Sequence, residues 1–278
     1  MNSQKKVAAI NDISCIGKCS LTVALPLLSA AGFETCPVPT AILSTHTGDF
    51  EGYTFHDLTS ELSRIFEHWK TLNLNFDAVY SGYLGSFEQL SFSESFIDFY
   101  GENSLVLVDP VMGDHGVLYA GFDEKFVKGM RNLCRKADII IPNITEACFL
   151  TDTPYREQHS KEYISELLKK LSHITSGTVV LTGVCVAENS IGAAVMDKGE
   201  IKYVLDKKLD VLYHGTGDVF ASSLLAALLQ GYSAEKSAEM AVKFVSACIK
   251  RTLETTGRKH YGVNFELCIR EFIDLLGI

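Results

Sequence analysis

The chain has 278 residues, of which 47% are hydrophobic and 21% are charged. This composition supports a large buried core and excludes a wholly disordered protein. Lys and Arg number 25 against 34 Asp and Glu, which gives a net charge of −9, and no run of basic residues interrupts this acidic background. The charge argues against a nucleic-acid-binding or anionic-membrane surface, so any bound phosphate must be held locally by backbone amides or a metal ion.

The hydropathy and cysteine patterns both indicate the same cellular compartment. The N-terminal residues lead directly into a strand-like run and lack the apolar stretch and cleavage site of a signal peptide. No uncharged stretch reaches the ~18–20 apolar residues of a membrane span. The eight cysteines are scattered without a CxxC pair or a cluster with histidine, which is typical of reduced thiols. We therefore expect a cytoplasmic protein without a membrane partner.

Short apolar runs alternate with helical patterns along the chain. The runs predict eight strands, at Val7–Ile10, Pro37–Leu43, Ala78–Ser81, Leu105–Val108, Ile139–Ile141, Val179–Thr182, Ile191–Val195 and Ile201–Val204, the last two forming a hairpin. Helices are predicted at Leu21–Ala31, His56–Leu72, Ala147–Leu150, Lys161–Leu171 and Phe220–Leu229. Most strands are continuously apolar, as expected of parallel strands that are covered on both faces.

These patterns predict an α/β protein with one domain over residues 1–278. The expected architecture is a three-layer α/β/α fold with a mostly parallel central sheet of about eight strands. In such folds ligands bind beyond the carboxyl ends of the strands. Small, polar or acidic segments follow the predicted strands directly, at 11–14, 44–49, 82–86, 109–114, 142–146, 183 and 214–218. Their coincidence predicts one composite site.

The segment 215–218 reads Gly-Thr-Gly-Asp and precedes an apolar helix. Two glycines let the backbone turn tightly, and the helix start contributes about half a positive charge, so the segment is suited to a transferring phosphoryl group. Asp218 is placed to accept a proton from an attacking hydroxyl while the amides of Gly215, Thr216 and Gly217 stabilise the phosphoryl charge. The alternative interpretation is the ordinary capping of a helix.

Acidic residues follow two further strands. Asp109 and Asp114 come after one buried strand, and Asn143 and Glu146 come after the next. Carboxylates gathered beside a phosphate site favour Mg²⁺ between them. The alternative is local structure, because Asp-Pro forms turns and Asn143 with Glu146 forms a capping pair for the helix behind them. Together with the glycine segment, the set favours a metal–nucleotide site.

Two ring-bearing residues are candidates for binding a polar ring substrate. His46 lies in the polar segment 44–48, although a lone histidine is more often structural than functional. Tyr83 follows the third predicted strand, where it either stacks on a ring substrate or is a strand-end aromatic.

On these motifs the whole chain resembles the ribokinase-like superfamily and, within it, the pyridoxal/pyridoxamine kinase branch. The resemblance rests on six segments, AIND at 9–12, STHTG at 44–48, SGYLGS at 81–86, DPVMG at 109–113, PNITE at 142–146 and GTGD at 215–218. The last segment marks only the superfamily, whereas the HTG and GY segments are similar to the vitamin B6 branch.

The resemblance implies ATP-dependent phosphorylation of the 5′-hydroxymethyl group of pyridoxal, pyridoxamine or pyridoxine, with Mg²⁺ as cofactor, by a homodimer. It implies that Asp218 is the general base and that Gly215, Thr216 and Gly217 form the anion hole. It places nucleotide binding at Asp109, Ile141, Asn143, Glu146, Thr182 and residues 215–217, and the metal at Asp114 and Glu146. The substrate-binding residues are expected to be Asp12, Ser14, His46, Thr47, Tyr83 and Asp218. The need for a monovalent cation is left open. Since Ile10 to Ala41 holds just one helix, no separate lid domain is expected.

The chain departs from the branch at Asp12, where pyridoxal kinases usually carry serine. Asp12 and His214 resemble hydroxymethylpyrimidine kinases of thiamine synthesis, although those enzymes commonly have cysteine at the position of Asp218. We hypothesise that Asp12 pairs with the cationic aminomethyl group of pyridoxamine. The alternatives are a hydroxymethylpyrimidine kinase and a non-catalytic B6-binding protein.

Overall fold

A nine-stranded sheet forms the middle layer of the protein. The computed structural model describes residues 4–48, 50–209, 211–255 and 261–278. The strands in chain order are β1 (Lys6–Ser14), β2 (Glu34–Leu43), β3 (Phe55–Asp57), β4 (Ala78–Ser81), β5 (Leu105–Val108), β6 (Gly113–Asp114), β7 (Val117–Leu118), β8 (Ile139–Ile140), β9 (Thr178–Val184), β10 (Ser190–Asp197) and β11 (Glu200–Lys207). The short strands β6 and β7 pair only with each other, and the other nine form the main sheet.

Helices cover both faces of this sheet. They are α1 (Leu21–Ala30), α2 (Thr59–Thr71), α3 (Phe87–Tyr100), α4 (Glu124–Cys134), α5 (Ile144–Thr151), α6 (Lys161–Leu171), α7 (Thr216–Leu229), α8 (Ala234–Glu254) and α9 (Ile269–Leu276). Helices α1, α7, α8 and α9 pack on one face in one hydrophobic core, and α2 to α6 pack on the other face in a second core. The three-layer prediction is confirmed.

The continuously apolar strands fit this double coverage. In β1, Val7 and Ala9 face the core formed with α1 and α7, whereas Ala8 and Ile10 face the core formed with α2 and α3. Because successive side chains point to opposite faces, both sets must be apolar when both faces are covered. All four are fully buried.

The strand order places a crevice between β1 and β4. The order across the main sheet is β11-β10-β9-β8-β5-β4-β1-β2-β3. The strands from β9 to β2 are parallel, while β3, β10 and β11 run antiparallel to their neighbours. From β1 the chain moves outward to β2 by way of α1, and after β3 it returns past β1 to β4 by way of α2. Such a reversal opens a ligand crevice beyond the carboxyl ends of the two central strands.

The pairing of β1 with β2 is irregular at this same end. Asn11 lies opposite Pro39, but Ile13 lies opposite Ile42, so β2 has one extra residue beside Asp12. A bulge of this kind re-aims the side chains around it and is common beside functional sites.

Three predicted helices differ from the structure at their starts: α5 begins at Ile144 rather than Ala147, α7 begins at Thr216 rather than Phe220, and α2 begins later than predicted. The helical pattern predicted from His56 to Leu72 begins instead at Thr59, because 55–57 pairs with β2 as the ninth strand of the main sheet. Asp57 accepts a hydrogen bond from the Thr59 amide where the strand turns into α2. Since β3 joins the edge of the main sheet, the described residues contain no separate lid domain.

Two smaller sequence expectations concern cysteines and membranes. All eight cysteines are free thiols. Among the helices in the described ranges, none is both long enough and apolar enough to cross a bilayer.

Candidate active site

The crevice between β1 and β4 is closed at its base by Asn11. Its side-chain oxygen accepts hydrogen bonds from the backbone amides of Asp12 at 3.0 Å and Tyr83 at 2.9 Å, so it ties the end of β1 to the segment after β4. Gly82 allows this contact, because a Cβ there would lie 2.3 Å from Asn11 Nδ2. The two polar segments that follow these strands are therefore held together, as the sequence predicts.

Helix α7 begins at the crevice with a glycine. Gly215 is the residue before the helix, and its φ of 77° is in the left-handed region that favours glycine. A Cβ at Gly215 would also lie 2.0 Å from the carbonyl oxygen of Lys18. No side chain caps this helix start, so the capping alternative is wrong for this segment. The first amides of the helix, at 216–218, have no intrahelical acceptor and remain available for an anion.

Asp218 lies in the first turn of α7 and is held as a weak acid. Burial raises its pKa, the backbone amide of Ser20 lowers it, the Asp12 carboxylate raises it, and the side chain of Asn11 lowers it, with a net rise from 3.8 to about 7. A carboxyl with this pKa changes its charge near neutral pH, which suits a general base.

Asp12 lies close to Asp218 and is itself enclosed. Its side-chain oxygens accept hydrogen bonds from Ser20 Oγ at 2.5 Å and from Ser14 Oγ at 2.9 Å. Burial raises the pKa of Asp12, and the two hydroxyls oppose that rise. Ser14, which is predicted to bind substrate, therefore donates its hydroxyl hydrogen bond to Asp12.

A second group of carboxyls continues from Asp218 along the ends of the central strands. Burial raises the pKa of Asp109, and the nearby carboxylates of Glu146 and Asp218 raise it further. Burial also raises the pKa of Glu146 to about 8, against backbone amides that lower it, and Asp114 adds to the rise. Asp12, Asp218, Asp109, Glu146 and Asp114 thus form one series of interacting carboxyls.

Asn143 and Glu146 form a complete capping box at the start of α5. The Asn143 side chain accepts from the Glu146 amide at 2.9 Å, and Glu146 accepts from the Asn143 amide at 2.8 Å. The local-structure alternative is therefore confirmed for this pair. The same pair also reaches the crevice, because Asn143 Nδ2 donates to the carbonyl of Gly113 and Glu146 accepts from the Met112 amide.

Ile141 and Thr182 lie beside this pair but have no ionisable side chain. Ile141 is buried and donates its backbone amide to Val108. The Thr182 hydroxyl donates to the carbonyl of Pro142 at 3.3 Å, next to a bridge between Thr182 and Asn143. Both residues lie near the predicted nucleotide side of the crevice, because their backbones pair with neighbouring segments there.

The predicted ring-binding residues Tyr83 and His46 follow β4 and β2, on the two sides of β1. Tyr83 is half-buried, and burial, with the nearby Asp12, Tyr53 and Asp57, raises its pKa to about 12. His46 is buried, and its ring lies 4.6 Å from that of His214 and 4.8 Å from that of Phe50. The neighbouring Thr47 is exposed.

Three residues of the site were missed by sequence reasoning. Asn11 was noticed only as part of a polar strand end, and Ser20 lies where a serine is expected to cap α1. Tyr119 follows β7, and its pKa is raised by burial and then by Glu146, Asp114, Asp109 and Asp218, so its hydroxyl faces the carboxyl series. Tyr119 belongs to no motif that the sequence singles out.

The carboxylate oxygens of this series are ligands of the kind that Mg²⁺ prefers. Within the described ranges no three His, Cys, Asp or Glu side chains converge as a finished metal cage. Mg²⁺ in a phosphate site takes one or two carboxylates and completes its shell with water and phosphate oxygens. Burial and neighbouring carboxylates raise the pKa values of Asp109 and Glu146, so a cation bound beside them would stabilise both ionised forms.

Several proteins of similar sequence and fold are described as kinases. A Bacteroides thetaiotaomicron protein, assigned as a phosphomethylpyrimidine kinase and solved with pyridoxal, is 39% identical with a TM-score of 0.92, over 97% of this chain and 96% of that one. The pyridoxal kinase of Lactobacillus plantarum is 32% identical with a TM-score of 0.91, over 99% and 98% of the two chains. The hydroxymethylpyrimidine/phosphomethylpyrimidine kinase of Bacillus subtilis is 28% identical over 77% of this chain and 78% of its own length.

The family comparison agrees with the fold. The family model described as phosphomethylpyrimidine kinase matches residues 26–264. This span begins within α1 and extends past the end of α8, so it leaves out β1 and α9. The resemblance to the ribokinase-like superfamily is confirmed by the pyridoxal kinase relatives. The chain is therefore a phosphotransferase and belongs to the phosphomethylpyrimidine kinase family.

Proposed function

We propose that this protein transfers the terminal phosphoryl group of ATP to the 5′-hydroxymethyl group of a vitamin B6 vitamer, namely pyridoxal, pyridoxamine or pyridoxine. The observation that carries the proposal is the position of Asp218, a carboxyl with a pKa of about 7 in the first turn of α7, next to the uncapped amides at 216–218. Relatives solved with pyridoxal or acting as pyridoxal kinases support the choice of heterocycle.

Asp218 is the general base in this proposal. The substrate hydroxyl loses its proton to the Asp218 carboxylate as its oxygen forms a bond to the γ-phosphorus, and ADP leaves with the electrons of the broken P–O bond. The amides of Gly215, Thr216 and Gly217 donate to the oxygens of the phosphoryl group, where negative charge is concentrated. The positive end of the helix dipole at the start of α7 favours that charge.

The nucleotide lies along the carboxyl series in this proposal. Asp109, Asn143 and Glu146 line the phosphate side, with Ile141 and Thr182 beside them and Asp114 at the exposed end. Mg²⁺ bound by Glu146 and Asp114, directly or through water, would neutralise charge on the phosphates. Glu146 is kept in place for this role by its hydrogen bonds to the amides of Asn143 and Met112.

The vitamer lies between Tyr83 and His46 in this proposal, with Thr47 at the exposed rim. We further propose that Asp12 pairs with the aminomethyl group of pyridoxamine, which the burial of this carboxyl beside Asp218 supports. The cationic aminomethyl group would compensate the negative charge of the two adjacent carboxyls. The homodimeric state and the cytoplasmic location implied by the resemblance are also proposals, and sedimentation velocity tests the first of them.

A second candidate is phosphorylation of hydroxymethylpyrimidine. The family description and the Bacillus subtilis relative favour it, as does Asp12 in place of the serine usual in pyridoxal kinases. Both substrates carry a hydroxymethyl group on an aromatic nitrogen ring, so the same base and anion hole serve either one.

A substrate comparison tests the proposal. Purified protein is incubated with Mg·ATP and each of pyridoxal, pyridoxamine, pyridoxine and hydroxymethylpyrimidine, with the Asp218→Asn variant as the matched background. We expect ADP and a phosphorylated product from at least one B6 vitamer, at a kcat/KM above that for the pyrimidine. A preference for the pyrimidine would overturn the proposal in favour of the second candidate. Vitamer binding without ATP consumption would establish a non-catalytic B6-binding protein.

A further inference from the structure

Ser20 has an unusual backbone conformation next to the candidate base. Its φ is 57° and its ψ is −132°, a combination that glycine adopts readily and that strains a residue with a Cβ. Ser20 is buried, with 7% of its surface exposed. It ends the segment that leaves β1 and immediately precedes α1, and it forms a bridge to Ile13.

The capping of α1 does not explain a serine at this place. A serine before a helix normally accepts a hydrogen bond from an amide in the first turn, but the Ser20 side chain makes no such bond. Its hydroxyl donates instead to Asp12 Oδ1 at 2.5 Å. The strained backbone and the diverted side chain therefore serve something other than the helix.

The main chain of Ser20 faces the second carboxyl. Its backbone amide interacts with Asp218 and favours the ionised form of that group. The segment before Ser20 is fixed against the start of α7, because the Lys18 carbonyl fills the space that a Cβ of Gly215 would need. A single residue thus contacts Asp12 through its hydroxyl and Asp218 through its amide.

We propose that Ser20 is a positioning residue for Asp218: the Ser20 hydroxyl binds the neighbouring Asp12 carboxyl, and the Ser20 backbone amide holds the Asp218 carboxyl at the start of α7. The inference rests on the proposed function insofar as Asp218 is the base. Strain at Ser20 is maintained because relaxing it would break one of the two contacts.

This arrangement has a definite consequence for the titration of Asp218. The ionisable groups whose charges act on it or respond to it belong to several elements: Asp12, Cys19, Tyr80, Asp109 and Tyr119. Removing the Ser20 hydroxyl takes a donor from ionised Asp12, so the pKa of Asp12 rises. Because the negative charge of Asp12 raises the pKa of Asp218, a higher pKa of Asp12 weakens that effect and the pKa of Asp218 falls.

The test is a titration of the Asp218 carboxyl carbon by NMR in aspartate-labelled protein, assigned with the Asp218→Asn variant. Wild type is compared with Ser20→Ala and with Thr22→Val, which removes a neighbouring hydroxyl that donates only to the Cys19 carbonyl. We expect a lower midpoint in Ser20→Ala and an unchanged one in Thr22→Val. We also expect the acid limb of the kcat profile to move to lower pH in Ser20→Ala, with kcat reduced roughly five-fold and the KM for ATP unchanged.

A second variant keeps the test decisive if Ser20→Ala folds poorly. Ser20→Gly suits the observed φ and also lacks the hydroxyl, so it should lower the midpoint as well. A midpoint in both Ser20 variants equal to that of wild type would overturn the inference, whatever their activity. A lowered midpoint in a protein that phosphorylates none of the candidate substrates would overturn the proposed function and leave the positioning role standing.

Discussion

Replacing the candidate base should make the protein more stable, and increasingly so as the pH rises. In wild type, the folded-state pKa of Asp218 is raised from 3.8 to about 7, mainly by burial. A group whose folded pKa lies above its unfolded value stabilises the fold only while it is protonated, so wild type loses stability as the pH rises through this range. At about 1.4 kcal/mol per pH unit, the loss that accumulates between pH 3.8 and pH 7 is on the order of 4 kcal/mol.

The Asp218→Asn variant removes this loss because asparagine does not titrate. Its gain in the free energy of unfolding over wild type should grow by roughly 2 to 3 kcal/mol between pH 5 and pH 8. Urea unfolding at the two pH values, followed by circular dichroism, measures the change. A gain that is equal at both values would refute the claim that Asp218 is held against ionisation.

Asp206 provides a control of the same residue type with the opposite sign. Burial raises its pKa, but the hydroxyl of Ser246, the amide of Lys207 and the charges of Lys250 and Lys243 lower it more, so that the net pKa is lowered. Stability from Asp206 is therefore present at neutral pH and lost on acidification. The Asp206→Asn variant should be less stable than wild type at pH 8, with a smaller deficit at acid pH.

Three further predictions concern the site. The kcat/KM should rise with pH on an acid limb near 7, as Asp218 becomes ionised, and a flat pH–rate profile from 6 to 8 would contradict this. Asp12→Ser should lower the ratio of kcat/KM for pyridoxamine to that for pyridoxal by about ten-fold, whereas an unchanged ratio would end the hypothesis. Gly215→Ala should lower the unfolding free energy by more than about 1–2 kcal/mol, because of its φ and the Lys18 carbonyl. Gly217→Ala, with nothing within 4 Å of the added Cβ, is the matched control and should stay within about 1 kcal/mol of wild type in urea unfolding.

Much of the fold was predictable because its central strands are covered on both faces. A run such as 105–108 must be apolar throughout when helices pack above and below it, and this pattern is visible without any structure. The start of α2 was missed because His56 and Asp57 fit a helical pattern, while their pairing with β2 depends on residues distant in the chain. Such pairing is tertiary information that local periodicity does not contain.

The site was predictable where its chemistry followed strand ends, and was missed where it depended on geometry. Asp109 follows β5, Glu146 and Asp218 lie in the first turns of α5 and α7, and the three carboxyls interact as expected. Ser20 reads as an ordinary helix cap, and only its φ and its bond to Asp12 show otherwise. Tyr119 reaches the carboxyls only because the β6–β7 hairpin folds back on Met112, to which the Tyr119 amide donates.

The arrangement explains how an acidic protein accommodates a triphosphate. Its net charge of −9 repels phosphate at long range, so the attraction has to come from groups at the site itself. Under the proposed function, the uncapped amides of α7 would supply one part of it, and a divalent ion on the carboxyl series would supply the other. Burial, together with repulsion between neighbouring carboxylates, raises the pKa values along the series.

The central claim is that Asp218 acts only in the chemical step, and steady-state kinetics of Asp218→Asn with Mg·ATP and the preferred vitamer tests it most directly. The account predicts a fall in kcat of about two to four orders of magnitude with little change in the KM for ATP. Turnover close to that of wild type would contradict it.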